Sequence, residues 1–144
     1  MRRIVLDTNA FLDCWVFDDP AAVPLKRAIE AGAATPVRSS ATDAELGAVL
    51  ERPIFHLDDR ARSALLLQWN ARAALVEVGG SATLRCLDPD DQKFLDLAFA
   101  AQARALFTKD KALLATASRA HRLGLHVVPP HAAASVLVVE DRLA

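Results

Sequence analysis

Four acidic residues of this chain, Asp7, Glu45, Asp91 and Asp110, carry side chains that could do chemistry together. Asp7 closes the β-rich run "RRIVL" and is followed at once by Thr8 and Asn9. Asp110 comes two residues after Thr108, where the run "RALFT" ends. Three or four acids turned toward one sheet edge repel one another, and some of their pKa values rise unless a cation neutralises them. An oxygen-only set suits Mg²⁺ or Mn²⁺, hard ions that keep several of their waters. Such ions polarise a phosphoryl oxygen, lower the pKa of a bound water and stabilise a leaving oxyanion. No serine, cysteine or histidine nucleophile is then required, and the sequence offers no convincing one.

Each acid also has an ordinary structural reading. Asp7 with Thr8 and Asn9 suits a turn or the cap of a following helix; as a metal ligand it would have Thr8 and Asn9 hydrogen-bonding around it. Glu45 shares a helical face with Ala41, Ala48 and Val49, an apolar stripe expected to face the sheet, or lies at the edge of that stripe and reaches solvent. "DPDD" at 88–91 is a strong helix start, and capping accounts for Asp88 and Asp90. Asp91 instead lines up with Leu95 and Ala98 and is expected to point inward. Asp96 reads as a solvated partner for a nearby base. Asp110 in "TKDKALL" is either an N-cap or a ligand.

The elements that must position these residues alternate in type. Strands are predicted at 2–6, 34–38, 74–78, 104–108 and 125–128. Helices are predicted at 20–31, stopping at Gly32, at 41–52, at 57–74 with Leu57 or Asp58 near its cap, from Asp88-Pro89 onward, and at 111–124. Gly79-Gly80 marks a turn. "HAAASVLVVEDRLA" reads either as a last helix or as a helix passing into a strand. This alternation implies βαβ units and a mostly parallel sheet with helices on both faces. Ligands of such sheets bind outside the carboxyl ends of the strands, where both Asp7 and Asp110 belong.

Length and composition agree with one domain over residues 1–144 that buries a single sizeable core. No apolar run reaches the roughly 18 residues of a membrane span. "MRR" followed by "IVL" has the charge of a signal peptide, but Asp7 cuts the apolar run short, so the expected location is the cytoplasm. Cys14 and Cys86 form no metal-ligand spacing and are expected reduced and partly buried. The four histidines are scattered. The formal net charge is −1, yet setting four carboxylates against a bound cation leaves the remainder net positive. Thirteen of the seventeen basic residues are arginine, which suits bidentate phosphate contacts and permits a nucleic-acid substrate.

The segments "RIVLDTNAFLD", "AELGAVLERPIF", "DPDDQKFLDLAFAAQARALFTKD" and the "KALL" after it resemble, in content and order, the PIN-domain nucleases. More narrowly, they resemble the toxin components of type II toxin–antitoxin systems. The resemblance spans residues 2 to about 130. It implies a three-layer α/β/α sandwich around a parallel sheet, with a Mg²⁺- or Mn²⁺-dependent acidic centre that cleaves RNA. Carried over, Asp7, Glu45, Asp91 and Asp110 match the family's acids, which hold the metal and carry catalysis. Asn9 and Thr108 match supporting polar positions. Lys109 stands where the family often has Gly, Gln92 where Asn is usual, and Ala112 where an acid is frequent. Lys109 would pair with Asp110 or contact a phosphate.

The leading expectation is a metal-dependent endoribonuclease leaving 5′-phosphate and 3′-hydroxyl ends, with a separately encoded antitoxin partner and a homodimeric assembly. A second expectation, of another class, is a degenerate PIN fold that binds RNA or protein without cutting. An aspartyl-phosphate phosphatase would want a second acid two residues after Asp7, where Asn9 stands.

Overall fold

Short strands with apolar centres, linked by helical connections, pair in parallel with both faces covered. In the computed structural model, which describes residues 2–137, this is what forms. Strands β1 (Arg3–Leu6), β2 (Thr35–Arg38), β3 (Ala74–Leu75), β4 (Ala105–Phe107) and β5 (His126–Val128) make one parallel sheet in the order β3-β2-β1-β4-β5. The helices are α1 (Thr8–Trp15), α2 (Val23–Glu30), α3 (Ser40–Leu50), α4 (Asp59–Arg72), α5 (Gln92–Ala100), α6 (Lys111–Leu114) and α7 (Ala117–Arg122).

The strand period of two divides the core. Ile4, Leu6, Ala105 and Phe107 face one side and pack with α1 to α4 through Phe11, Leu25, Leu46 and Trp69. Val5 and Leu106 face the other side and pack with α5 to α7 through Leu95, Leu113 and Ala120. The molecule is therefore the expected α/β/α sandwich. Its chain leaves β1 toward β2 and β3, then crosses back to β4 and β5, so the topological switch falls between β1 and β4. Those two strands are in register from Ile4↔Ala105 to Leu6↔Phe107, and the ladder continues with Asp7 N–H donating to Phe107 O at 3.1 Å.

Several elements differ from the sequence expectation. The apolar run at 10–12 with Cys14 folds as α1, directly after Asp7, where no helix was predicted. The strand at 74–78 shrinks to Ala74–Leu75; Val76 adds one bond to Arg38 O at 2.8 Å before the chain turns away toward Gly79. The single helix at 111–124 is two helices, because Thr116 bonds its own hydroxyl back to Leu113 O at 2.6 Å and interrupts the ladder. Gly32 does follow α2, at φ 76°, a conformation that stops a helix at little cost only for glycine. Of the tail, 133–137 are helical and the rest lies outside the described residues.

The helix that begins beside Asp91 is anchored by Leu95, whose side chain is 0% exposed, whereas Leu67 on α4 is 73% exposed. Leu95→Ala should cost about 2–5 kcal/mol and Leu67→Ala less than about 0.5 kcal/mol in urea melts. Equal effects would contradict this division of the core.

Candidate metal centre

Asp7 ends β1 at the switch point and is 3% exposed. Its Oδ1 accepts from Ala10 N–H at 2.8 Å and so caps α1, while its Oδ2 accepts from the Thr108 hydroxyl at 2.5 Å. Thr108, itself fully buried, accepts in turn from Asp110 N–H at 2.9 Å. One hydroxyl thus ties the end of β1 to the end of β4. Burial pushes the Asp7 carboxyl up to about 6; the bonds from Thr108 and Ala10 oppose this, and the charges of Asp110 and Glu45 add to it.

Asp110 repeats the construction. Its Oδ1 caps α6, accepting from Ala112 N–H at 2.8 Å and Leu113 N–H at 3.2 Å. Asp91 differs, because Asp88 does the capping at this start, accepting from Asp90 N–H at 2.9 Å. Asp91 makes no cap bond of its own and turns inward, as its alignment with Leu95 suggested. No protein donor reaches its buried Oδ2. Burial first, then the charges of Asp110 and Asp88, hold Asp91 well above the usual carboxylate range.

Glu45 arrives by a different route from the one its sequence pattern implied. Ala41 and Ala48 are exposed, and the buried face of α3 is Thr42, Leu46, Val49 and Leu50. Glu45 lies at the edge of that face and leans toward α1 and α5. There it accepts from the Thr8 hydroxyl and from Lys93 Nζ, the latter at 2.7 Å. Thr8 therefore serves Glu45 rather than Asp7. Asn9 is exposed, and its side chain makes no hydrogen bond among the described residues.

Other expectations are corrected here. Lys109 does not pair with Asp110: its half-exposed side chain places Nζ 2.7 Å from Asp13 Oδ2 on α1 and 3.9 Å from Asp19 Oδ2. The hydrogen bond to the buried Asp13 raises the Lys109 pKa. Asp96 serves no base; it accepts from Ala82 N–H at 2.8 Å and from Gln92 Nε2 at 2.9 Å. Both cysteines are free and buried, as expected, and burial pushes the Cys14 thiol up to about 12. His121 and His126 meet edge to face with ring centroids 5.1 Å apart.

Sequence reasoning missed Lys93 and Asp13, and each had a signal. A cation in the first turn of a helix opposes the macrodipole, so Lys93 needed a carboxylate to justify it. An acid inside the apolar run "FLDCW" needed a cation, and Lys109 is that cation.

A family model described as a PIN domain matches residues 3–112, from β1 through Asp110. The chain belongs to the PIN-domain family of nucleases. No curated protein matches the sequence. PIN nucleases generally use divalent metals, and the donor chemistry of this PIN domain fits a hard cation: carboxylate oxygens only, one of them buried without a donor. The side chains as they stand are not drawn together, for among the described residues no three His, Cys, Asp or Glu side chains form a ligand group. The Lys93 ammonium pairs with Glu45 at 2.7 Å.

Asp7 makes stability pH-dependent in the metal-free PIN domain. Its pKa is 3.8 unfolded and about 6 folded, so its contribution is full below about pH 4 and lost as pH rises through 6. The stability of Asp7→Asn relative to wild type should therefore climb by up to about 3 kcal/mol between pH 4 and pH 8. Urea melts in EDTA check this; a difference that stays flat with pH would contradict it.

Proposed function

We propose that this PIN domain is a Mg²⁺- or Mn²⁺-dependent endoribonuclease and the toxin of a type II toxin–antitoxin pair. Asp7, Glu45, Asp91 and Asp110 are its metal-holding and catalytic residues. The observation that carries the proposal is Asp91, whose Oδ2 is buried with no protein donor and whose carboxyl is pushed up by burial and by the charges of Asp110, Asp88 and Asp7. Buried like charges of this kind call for a proton or a cation between them.

In this reading a divalent ion bound at the acidic edge supplies Lewis-acid polarisation of a phosphoryl oxygen and lowers the pKa of water. The chain's own residues do the rest. Ala10 N–H and Thr108 fix the Asp7 rotamer, so the carboxylate need not reorganise when its ligand arrives. Asp110 is held by its cap bonds at one oxygen and keeps the other for the centre. Asp91, whose carboxyl is pushed up to about 7, would give up its proton when a cation is held there, so binding would tighten as pH rises. Glu45 reaches the ligand set on leaving Lys93, whose freed ammonium is then a donor for a substrate phosphate. The RNA substrate, the separately encoded antitoxin and the homodimer are supported by the likeness of the sequence segments.

One observation favours the second reading, a degenerate PIN fold that binds without cutting: Glu45 already has a counter-ion in Lys93 at 2.7 Å. The two readings part in a single assay. Structured and single-stranded RNAs are incubated with the protein and Mn²⁺ or Mg²⁺, with EDTA and the Asp7→Asn, Asp91→Asn double variant as controls. The nuclease reading expects metal-dependent cleavage, reduced on the order of a hundredfold or more in the variant. Metal-independent cleavage, or none on any RNA with no metal bound, would overturn it.

A further inference from the structure

Away from the acidic edge, one groove gathers cations without acids. It lies between the loop before α5 and the helix α7, has a volume of about 440 Å³, and is lined by Thr83, Leu84, Arg85, Arg119, Arg122 and Leu123. All three arginines are exposed, and none has an ion-pair partner among the described residues. Arg38 pairs with Asp43 at 2.6 Å and Arg72 with Glu30 at 3.9 Å, whereas the exposed Arg27, Arg52 and Arg60 do not line this groove. In a chain of net charge −1, three unpaired guanidinium groups on one groove are a concentrated positive field.

The groove is built rather than accidental. Gln92 pins the backbone on both sides of Arg85, donating to Leu84 O at 3.0 Å and accepting from Cys86 N–H at 2.6 Å. Leu84 and Cys86 are buried, which turns Arg85 outward. The opposite wall is equally fixed: Ala120 is fully buried under α7, and Arg119 and Arg122, three residues apart, share its outer face. Leu123, 58% exposed, offers an apolar surface between the charges. Along the chain, the loop leads on to Asp88–Asp91, and α7 follows α6, whose cap is Asp110.

We propose that this groove binds the phosphodiester backbone of RNA flanking the bond presented to the acidic centre. Guanidinium forks grip phosphate oxygens bidentately, and the exposed Leu123 receives the face of a ribose or base. The proposal rests on the nuclease reading for the direction of the strand but not for binding itself. An acidic protein segment would also be attracted by the arginines, but the apolar strip between spaced charges matches a backbone with a base or sugar between phosphates.

The test is fluorescence anisotropy of a labelled single-stranded 20-nucleotide RNA against the full chain in EDTA, so that nothing is cut, over a series of salt concentrations. The expected result is that the Arg85→Gln, Arg119→Gln, Arg122→Gln triple variant binds about tenfold or more weakly at low salt. Its log–log salt slope should fall by about 2, the value for three single-strand phosphate contacts. The corresponding triple lysine variant should keep most of the slope. An unchanged affinity and slope in the glutamine variant would overturn the proposal. So would displacement by polyglutamate as readily as by polyuridylic acid at equal charge, which would assign the groove to an acidic protein. Hydrolysis of bis(p-nitrophenyl) phosphate by the unmodified chain with Mn²⁺ reads the acidic centre separately. A silent centre with intact RNA binding overturns the nuclease reading alone, and an active centre with no arginine-dependent binding overturns the groove alone.

Discussion

Asp7 is a carboxylate placed where water cannot solvate it, and much of the sheet edge is organised around that cost. It lies at the end of the central strand, 3% exposed, with one oxygen on a helix N-terminus and the other on a buried hydroxyl. Removing an ionised carboxylate from water costs several kcal/mol unless hydrogen bonds or a counter-charge make up the difference. Two hydrogen bonds make up part of it, and the rest appears as a carboxyl that would sooner hold a proton. The β1–β4 register must be held for this to work, since Thr108 reaches Asp7 only because Leu6 sits opposite Phe107.

Asp7 and Asp110 each give one oxygen to the first turn of the following helix, and the second oxygen of Asp7 takes the Thr108 hydroxyl. A parallel sheet makes this economical: each strand's carboxyl end is followed by a helix N-terminus, so the residue that starts the helix also borders the crevice. Two lysines balance the charge from opposite sides, Lys93 on Glu45 and Lys109 on Asp13, so the acids stand among cations that belong to the fold.

The fold was legible because its signals are local. Apolar strand runs, Gly32 after α2 and the Asp88-Pro89 start all follow from what a few consecutive residues do by themselves, and four strands fall within a residue or so of their predicted bounds. The inward turn of Asp91 was also readable, because Asp88 was available to cap. Side-chain partners across the sequence were not. Nothing near Glu45 reveals that Lys93 will meet it, and the alanines beside it suggested a buried face where α3 exposes one. Thr116 broke a helix by a side-chain bond that periodicity does not register, and α1, with 8 residues, is too short for its apolar period to stand out even though Asp7 offered a cap for it.

Gln92 carries a further meaning once its three bonds are taken together. Residues 84–87 alternate buried, exposed, buried, exposed as a β-strand does, yet no strand lies beside them. The Gln92 amide takes the place of the missing neighbour: it donates to one backbone carbonyl and accepts from the next-but-one N–H, as a peptide group of an adjacent strand would. A helix has thereby lent a single side chain as a one-residue sheet partner. The geometry asks for both polarities and for this reach. A glutamate would set an acceptor against Leu84 O and Asp96, a leucine would strand two buried backbone groups, and an asparagine is a methylene too short to replace the surrogate peptide.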